Sequence, residues 1–275
     1  MPNHVTGEIE ALQRAARAGE EGALAELCDH LQPLIFRLCM RMLGDPLDAE
    51  DACQDVLLKV VRHLPEFEGR SQLTTWVYTL AVRHLGALRR KRSERRAFGE
   101  LGLAASLQFG LAIDAARPSP DDEVLAREVK LACTQGMLMR LTREERLAIV
   151  LVDLFDLPGP EAAAIAGVTA VTLRKRLSRA RQRLGGFLVN RCGLVNEQAN
   201  CQCRRQISAT QLLAPLRRKP VLREVFEEVP DATLRAAHHE LRQVRAIASA
   251  FGRDRVQAPD ALRARLSRWL PTILG

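Results

Sequence analysis

Apolar residues recur at intervals of three and four through the N-terminal third of the chain, and this spacing predicts amphipathic helices. Residues 1–20 carry only a weak version of the pattern, which predicts a tail with a short, frayed helix. A longer stripe spans residues 23–43 and predicts either one helix or two helices that meet at Pro33. The Gly-Asp-Pro sequence at positions 44–46 is typical of a helix end followed by a turn.

An acidic helix follows, and its two sides differ in chemistry. The apolar side is formed by Ala49, Ala52, Cys53, Val56, Leu57 and Val60. The polar side is formed by Asp48, Glu50, Asp51, Gln54, Asp55 and Leu58. Carboxylates stabilise the first turn of a helix, so the helix terminus alone would explain Asp48, Glu50 and Asp51 without a binding partner. Leu58 changes this interpretation, because a hydrophobe framed by acids on an exposed face indicates a docking surface for a basic partner.

The next helix is apolar on one side and ends in a run of cations. Its stripe is formed by Leu73, Trp76, Val77, Leu80, Ala81, Leu85 and Leu88. Residues 83–96 contain seven Lys or Arg residues against one acid, Glu94. Such a run is either a solvated helix end or a surface for a polyanion. Trp76 and Tyr78 favour the polyanion, because aromatic faces and cations together bind single-stranded nucleic acid.

A second set of helices is predicted to contain a helix-turn-helix. Thr142 and Glu145 have the spacing of a capping box at the start of one helix. The buried side of that helix is predicted to be Leu147, Ile149, Val150 and Leu154. After Pro158 a short Ala-rich helix ends at Gly167, whose freedom at positive φ allows the tight turn of the motif. Thr169 then caps the last helix.

This last helix is amphipathic, with a cationic outer face. Its inner face is Leu173, Leu177, Ala180 and Leu184. Its outer face is Thr172, Arg174, Lys175, Arg176, Arg179, Arg181 and Arg183. The helix carries six cations and no acid on this face, and it follows a Gly turn and a Thr cap. This combination predicts a helix that reads the major groove of DNA. A solvated basic helix would explain the charge but not the turn and the cap.

Composition agrees with an all-α protein that binds a polyanion. Aromatic residues make up only 4% of the 275 residues, while Leu, Ala and Arg are abundant, which favours helices over sheets. The formal net charge of +8 favours a nucleic-acid partner. No apolar run reaches the roughly 18–20 residues that cross a bilayer. The N-terminus carries no secretion signal, so we expect a cytoplasmic protein that binds no membrane.

The sequence contains seven cysteines, and in the cytoplasm most would stay reduced. The four expected to be small core residues are Cys28, Cys39, Cys53 and Cys133. Cys192, Cys201 and Cys203 lie close together in sequence and could bind zinc or copper, sense oxidants or remain structural. Their spacing differs from that of a zinc ribbon, and a fourth ligand is not evident, although His238 or His239 could complete the set.

The C-terminal residues carry two further amphipathic patterns, at 231–251 and 259–270. Amphipathic helices need a surface to cover, which could be a small domain of their own or the two preceding sets of helices. We therefore hypothesise that the C-terminal extension regulates the rest of the chain in cis.

Two segments together resemble a known family. The acidic helix, the sequence FEGRSQLTTWVYTLA and the following Leu-Arg-Arg resemble the promoter-melting domain of extracytoplasmic-function (ECF) sigma factors of the sigma-70 superfamily. The later Leu-Thr-x-x-x-Arg helix and the Val-Thr-x-x-Thr-Leu start of the last helix resemble the minus-thirty-five reader of the same family. Two such modules in this order are more specific than either alone. The chain departs from the family at residues 81–84, which read Ala-Val-Arg-His where an Arg-Asn pair is usual.

The resemblance implies a factor that binds core RNA polymerase, recognises a two-part promoter and helps to melt it. It assigns core polymerase to Asp48, Glu50, Asp51, Gln54, Asp55 and Leu58. It assigns minus-ten DNA to Trp76, Arg83, His84, Arg89 and Arg90. It assigns minus-thirty-five DNA to Thr169, Thr172, Arg174, Lys175, Arg176 and Arg179. An anti-sigma factor, or the chain's own extension, is the further partner that it implies.

The predicted organisation is a tail, two domains with a linker, and an extension. The ranges are a tail at 1–20, a region-2-like domain at 21–98, a linker at 99–122, a region-4-like domain at 123–188 and a cysteine-containing helical extension at 189–275. The alternative is a stand-alone helix-turn-helix regulator that responds to metal or redox state, which would leave the acidic face around Leu58 unexplained. An enzyme with a basic nucleic-acid groove is not predicted, because no phosphate loop or nucleophile with a nearby base is evident.

Overall fold

The computed structural model describes residues 3–20, 22–88 and 122–208, and its architecture in these ranges is all-α, as predicted. The helices of the described chain are α1 (Asn3–Arg17), α2 (Ala23–Leu43), α3 (Pro46–His63), α4 (Leu73–Ala87), α5 (Asp122–Leu138), α6 (Arg143–Ile149), α7 (Gly159–Ile165) and α8 (Ala170–Arg191). Short 3-10 turns lie at Leu64–Glu66 and Arg204–Gln206. None of the helices in these ranges is long and apolar enough to cross a membrane.

The first module, residues 3–88, is built on the packing of α2 against α3 and α1. α2 is one continuous helix that contains Pro33, so the alternative of two helices does not hold. The side chain of Asp45 caps α3 by accepting the backbone N–H of Leu47 at 3.1 Å. All six predicted apolar positions of α3 are buried, and α4 packs across both α2 and α3.

The N-terminal helix is longer and better packed than the predicted frayed turn. Ile9 is only 1% exposed and belongs to the main core, against which α1 packs alongside α2. At the end of the helix, Arg17 Nη1 donates to the carbonyl of Phe67 at 2.9 Å. α1 therefore forms part of the first module. The amphipathic pattern was weak because few of its positions are fully buried.

The second module, residues 122–191, contains the predicted helix-turn-helix. Thr142 and Glu145 form the capping box, with each side chain accepting the other residue's backbone N–H. α6 continues into a π-helical turn at Val150–Leu154 that the sequence pattern did not predict. α7 ends before Gly167, which has a φ of 65°, and Thr169 caps α8. The predicted inner face of α8 is buried at Leu173, Leu177 and Ala180, with Leu184 half-buried.

The two modules pack against each other and share one hydrophobic core. Long polar side chains of the second module donate to backbone carbonyls of the first. Gln135 Nε2 contacts the carbonyls of Met40 and Arg41, each at 3.2 Å. Arg143 Nη1 donates to the carbonyls of Leu85 and Leu88 at 3.2 and 2.7 Å.

Arg146 lies at the centre of this contact and is fully buried at 0% exposure. Its guanidinium donates to carbonyls in both modules. The acceptors are those of Met42, Leu138, Met139 and Leu141. Such a guanidinium satisfies carbonyls at two helix ends that would otherwise be buried without donors.

Several predictions of the sequence analysis lie outside the described residues. These are most of the linker 99–122, the cations Arg89 and Arg90, the histidines His238 and His239, and the two C-terminal helices at 231–251 and 259–270.

Candidate polymerase and DNA interfaces

The acidic face of α3 contains five residues that lie on one side of the helix. Asp51 and Asp55 are exposed, and Gln54 and Leu58 are half-buried beside them. Leu47 extends this face by one turn and is 54% exposed, although the sequence analysis did not select it. Its spacing of four residues from Asp51 was the available signal. We call this set of five residues the acidic face.

Two predicted members of the polymerase surface lie elsewhere. Glu50 is only 9% exposed, because it is next to buried Ala49 and one turn before buried Cys53, at the α2 side of the helix. Its prediction as a surface contact was therefore wrong. Asp48 is half-buried in the first turn of α3, where its backbone N–H donates to Asp45 at 3.4 Å.

His84 is also buried, at 8% exposure, and does not lie on a DNA-facing surface. Its Nδ1 is 2.8 Å from Lys59 Nζ, and its Nε2 is 3.4 Å from Asp55 Oδ2. Burial and then the Lys59 charge lower the pKa of His84, while Asp55 raises it in part. A neutral ring accepts from Lys59, so His84 links α4 to α3. Arg83, one position earlier, is exposed as predicted.

The two aromatic residues of α4 have different environments. Trp76 is half-buried and packs on Phe67, with ring centroids 5.3 Å apart. Tyr78 is 5% exposed and packs on Phe155 of the second module, with centroids 5.5 Å apart. Tyr78 was predicted to be available to nucleic acid, and this was wrong, because it is covered by the contact between the modules. Trp76 remains the aromatic residue at the predicted minus-ten surface.

The predicted minus-thirty-five residues lie together at the start of α8. Arg174, Lys175 and Arg179 are exposed, and Arg176 is half-buried. Thr169 accepts the backbone N–H of Thr172 at 3.2 Å, and their hydroxyl oxygens are 2.9 Å apart. Val171 is 50% exposed in the same first turn and was missed by the sequence analysis. An exposed apolar group at this place suits contact with a thymine methyl.

Two other cations of α8 form contacts inside the second module. Arg181 donates twice to the carboxylate of Asp153, at 3.0 and 2.6 Å, and that carboxylate is fully buried. Arg183 donates to Glu145 at 2.8 Å. Both were predicted on the outer face of the helix, but they anchor α8 to α6 and to the π-helical turn. The exposed cations before them form a separate group, which we call the recognition face: Thr169, Val171, Thr172, Arg174, Lys175, Arg176 and Arg179.

All seven cysteines lie within the described residues, and none forms a disulfide. Cys28, Cys39 and Cys53 are buried in the first module, as predicted. Burial raises the pKa of Cys28 to about 12, and Asp29 adds to this shift. Cys133 is only partly buried and lies outside the main core, so its prediction as a core residue was wrong.

The metal-binding capacity of the C-terminal cysteines follows from their positions. The backbones of Cys192 and Cys201 form an isolated parallel β-bridge, while both thiols are free. Cys203 precedes the 3-10 turn Arg204–Gln206. Among the described residues, no group of three or more His, Cys, Asp or Glu side chains could hold a metal ion.

Comparisons with known proteins match both modules separately. Sigma-70 region 2 matches residues 27–96, and sigma-70 region 4 matches residues 131–184. The first match covers α2, α3 and α4 with the acidic face. The second covers the end of α5 and the helix-turn-helix with the recognition face.

Two curated sigma factors are similar to this chain over more than nine tenths of their own length. The ECF RNA polymerase sigma factor SigW of Bacillus subtilis is 26% identical over 172 residues, which are 62% of this chain and 91% of SigW. The RNA polymerase sigma factor CnrH of Cupriavidus metallidurans is 30% identical over 180 residues, which are 64% of this chain and 92% of CnrH. A solved structure of CnrH with the cytosolic domain of CnrY gives a TM-score of 0.47 at 21% identity, over 66% of this chain and 97% of that one. On the two matched regions and these relatives, the chain belongs to the ECF group of sigma-70 RNA polymerase sigma factors.

Proposed function

We propose a specific role for each surface of this sigma factor, a non-enzymatic initiation factor that binds RNA polymerase and directs it to promoters. The acidic face binds core polymerase. Leu47 and Leu58 supply exposed apolar area at its two ends, and Asp51 and Asp55 lie between them. A basic partner that covers this face would gain hydrophobic contact at its two ends and charge complementarity with the acids between them.

The minus-ten element is assigned to the exposed side of α4 and the cations that follow it. Trp76, held by Phe67, offers a face on which an unpaired base can stack, and Arg83 supplies a phosphate contact. Arg89 and Arg90 would extend the cationic path. His84 is excluded from this set, because its side chain is buried and its Nδ1 bonds to Lys59 Nζ at 2.8 Å.

We assign the minus-thirty-five element to the recognition face. The observation that supports the proposal most strongly is the division of the α8 cations into paired and exposed groups. The cations divide into two classes: Arg181 and Arg183 pair with acids, whereas Arg174, Lys175 and Arg179 stand exposed on the same helix. A helix that needed charge only for stability would pair these cations as well. Exposed cations around Thr172 and Val171 suit phosphate contacts that flank a few base contacts.

Run-off transcription by the full chain with purified core polymerase and a promoter library tests these assignments. Leu47→Ala with Leu58→Ala should reduce core binding in a pull-down and leave DNA binding intact. Its matched control is Val189→Ala, since Val189 is also an exposed apolar residue, at 40%. Unchanged core binding in the double variant would refute the assignment of the acidic face.

The recognition face is tested in the same assay. Arg174→Ala with Arg176→Ala should reduce initiation and flatten the salt dependence of DNA binding by about two in slope, about 0.9 for each phosphate contact. Core binding should not change. Arg14→Ala, an exposed cation on α1, is the control. If the full chain shifts duplex DNA but neither binds core nor initiates, a stand-alone regulator is the better account.

The packing between the modules supports a further part of the proposal, that the described arrangement is the form of the factor away from the promoter. Elements named for positions minus ten and minus thirty-five are about 25 base pairs apart, or about 85 Å of duplex. Modules that share one core cannot reach both elements at once. Promoter binding therefore requires the contacts of Gln135, Arg143 and Arg146 to break. Regulation in cis by the C-terminal extension would act on this equilibrium.

A further inference from the structure

A buried histidine of α4 lies against the acidic face of α3. The side chain of His84 is buried, whereas that of Asp55, on the acidic face, is 56% exposed. His84 Nδ1 is 2.8 Å from Lys59 Nζ, and His84 Nε2 is 3.4 Å from Asp55 Oδ2. The two ring nitrogens therefore face a lysine and an acid of the same neighbouring helix.

The partner at Nδ1 decides where the ring carries its proton. A lysine ammonium only donates hydrogen bonds, so Nδ1 accepts from Lys59 and carries no proton. Burial and then the charge of Lys59 lower the pKa of His84, which favours the neutral ring. A neutral imidazole with an accepting Nδ1 has its one proton on Nε2. The proton is therefore on the nitrogen that is nearer to Asp55.

The Nε2 atom of His84 is a buried donor that still needs an acceptor. It makes no hydrogen bond within the described part of the chain. A buried N–H group without an acceptor is costly, so an acceptor that can approach it is favoured. Asp55 Oδ2 is 3.4 Å away, and an ordinary N–H···O bond is about 2.7–3.2 Å long. Because the carboxylate is exposed, a small turn of its side chain brings this oxygen into range.

The ring also changes what Lys59 does to Asp55. These two residues are four positions apart on α3, a spacing at which an acid and a following lysine commonly pair. Here the Lys59 ammonium donates to the His84 ring. An Asp55 carboxylate held through Oδ2 by a neutral ring keeps its negative charge and presents Oδ1 to a binding partner.

We propose that His84 is a positioning residue for polymerase binding, which holds the Asp55 carboxylate in the orientation that meets a basic group of core polymerase. This inference rests on the proposed function of the acidic face. A side chain that is already held in its bound geometry loses less conformational entropy when the partner docks. His84 follows Arg83 on α4, so the same link connects the polymerase-binding helix to the helix of the minus-ten surface.

The first test is an NMR measurement on the full chain, in which the six histidines carry a nitrogen label. Long-range proton–nitrogen spectra distinguish the two neutral tautomers of each ring. The ring that responds to Asp55→Ala and is missing from His84→Asn is that of His84. We expect this ring to be neutral, with its proton on Nε2. A proton on Nδ1, or no ring that responds to Asp55→Ala, would overturn the proposal.

The second test measures the affinity of full-chain variants for purified core polymerase. His84→Asn keeps an oxygen near the position of Nδ1 but is too short to reach Asp55, whereas His84→Gln places an amide N–H near the position of Nε2. His84→Asn should weaken core binding about 3- to 10-fold, the effect of one net hydrogen bond, and His84→Gln should restore most of it. Equal losses in the two variants would contradict the positioning role.

Because His84 is buried, thermal unfolding followed by circular dichroism first establishes a temperature at which every variant is folded. If neither His84 variant folds, the tautomer of the wild-type ring and its response to Asp55→Ala decide the question. Asp55 is exposed, so we expect Asp55→Ala to fold as the wild type does.

A double-mutant cycle separates this inference from the proposed function. In an Asp55→Ala background, His84→Asn should cause little further loss of core binding, because the two residues act together. In a Leu47→Ala background it should keep its full effect, since Leu47 lies about 12 Å from Asp55 along α3. Wild-type core binding by both Asp55→Ala and Leu47→Ala would refute the acidic face itself, and this inference with it. A loss in Asp55→Ala to which the loss in His84→Asn simply adds would refute this inference alone.

Discussion

Arg179 and Arg181 lie two positions apart on α8, and the structure predicts opposite consequences for their replacement by alanine. Arg181 holds the carboxylate of Asp153, which is 0% exposed, with two hydrogen bonds. Arg179 is exposed on the recognition face. Arg181→Ala should therefore destabilise the second module, whereas Arg179→Ala should weaken DNA binding at unchanged stability.

The magnitude for Arg181→Ala follows from the buried carboxylate that it leaves behind. Removal of one partner of a buried ion pair costs about 3–5 kcal/mol. Arg181 itself is 30% exposed, so water could partly solvate Asp153, and we expect the lower end, about 3 kcal/mol. Because the two modules share one core, they should unfold as one unit, for which 1 kcal/mol shifts Tm by about 2–4 °C, so Tm should fall by about 6–12 °C. Arg179→Ala should instead reduce the slope of log affinity against log salt by about 0.9.

Thermal unfolding followed by circular dichroism measures the first effect, and fluorescence anisotropy with labelled duplex across a salt series measures the second. DNA binding by Arg181→Ala is measured below its own Tm, so that the folded fraction does not limit it. An unchanged Tm in Arg181→Ala would contradict the structural role of the pair. If the slope of log affinity against log salt fell in Arg181→Ala and stayed at the wild-type value in Arg179→Ala, the two assignments would be reversed and the reasoning refuted.

Two further predictions concern the first module and its contact with the second. Burial and then the charge of Lys59 lower the pKa of His84 in the folded protein. The neutral ring therefore contributes stability that is fully present above the ordinary pKa of 6.5. This contribution is lost as pH falls through the lowered pKa of the folded state. His84→Gln should therefore show a smaller loss of Tm than the wild type between about pH 7 and pH 5.5, and an equal loss would contradict this role. Arg143→Ala removes the donor to the carbonyls of Leu85 and Leu88 and should shift the modules apart. Small-angle scattering should then give a larger radius of gyration than in Arg62→Ala on α3, and equal radii would argue against the contact.

Much of the fold was predictable because helix periodicity reports burial directly. The apolar stripes of α3 and α8 are buried at nearly all predicted positions, and the two threonine caps hold as predicted. The capping box and the Gly167 turn depend on residues three or four apart, so the sequence contains the whole interaction. The π-helical turn after α6 has no comparable local signal.

The site was predicted less completely, because polar residues on a buried stripe were assigned by chemistry rather than by position. His84 is three residues after Ala81 and seven after Val77, which places it on the buried side of α4. The same spacing was available for Glu50 beside Ala49 and Cys53. Periodicity therefore contained the correction, whereas the expected chemistry of an acid or a histidine pointed to the surface.

Long-range pairs could not be predicted by any spacing. Arg181 and Arg183 look identical in sequence to Arg174 and Arg179, and only the fold brings Asp153 and Glu145 to the first two. Charge composition therefore overestimated the DNA-binding face of α8.

The contact between the modules is the hardest feature to predict, because its longest polar side chains donate to backbone carbonyls. Gln135, Arg143 and Arg146 donate to the main-chain oxygens of Met40, Leu85 and Met42, a group that every residue possesses and that leaves no mark in the sequence. The carbonyls that accept from these side chains lie at the ends of α2 and α4, so separation of the modules would expose them to water, which can satisfy them. Opening of the contact would let water satisfy these polar groups, but it would also expose part of the shared hydrophobic core, so the proposed separation at the promoter needs binding free energy from polymerase or DNA to offset that cost.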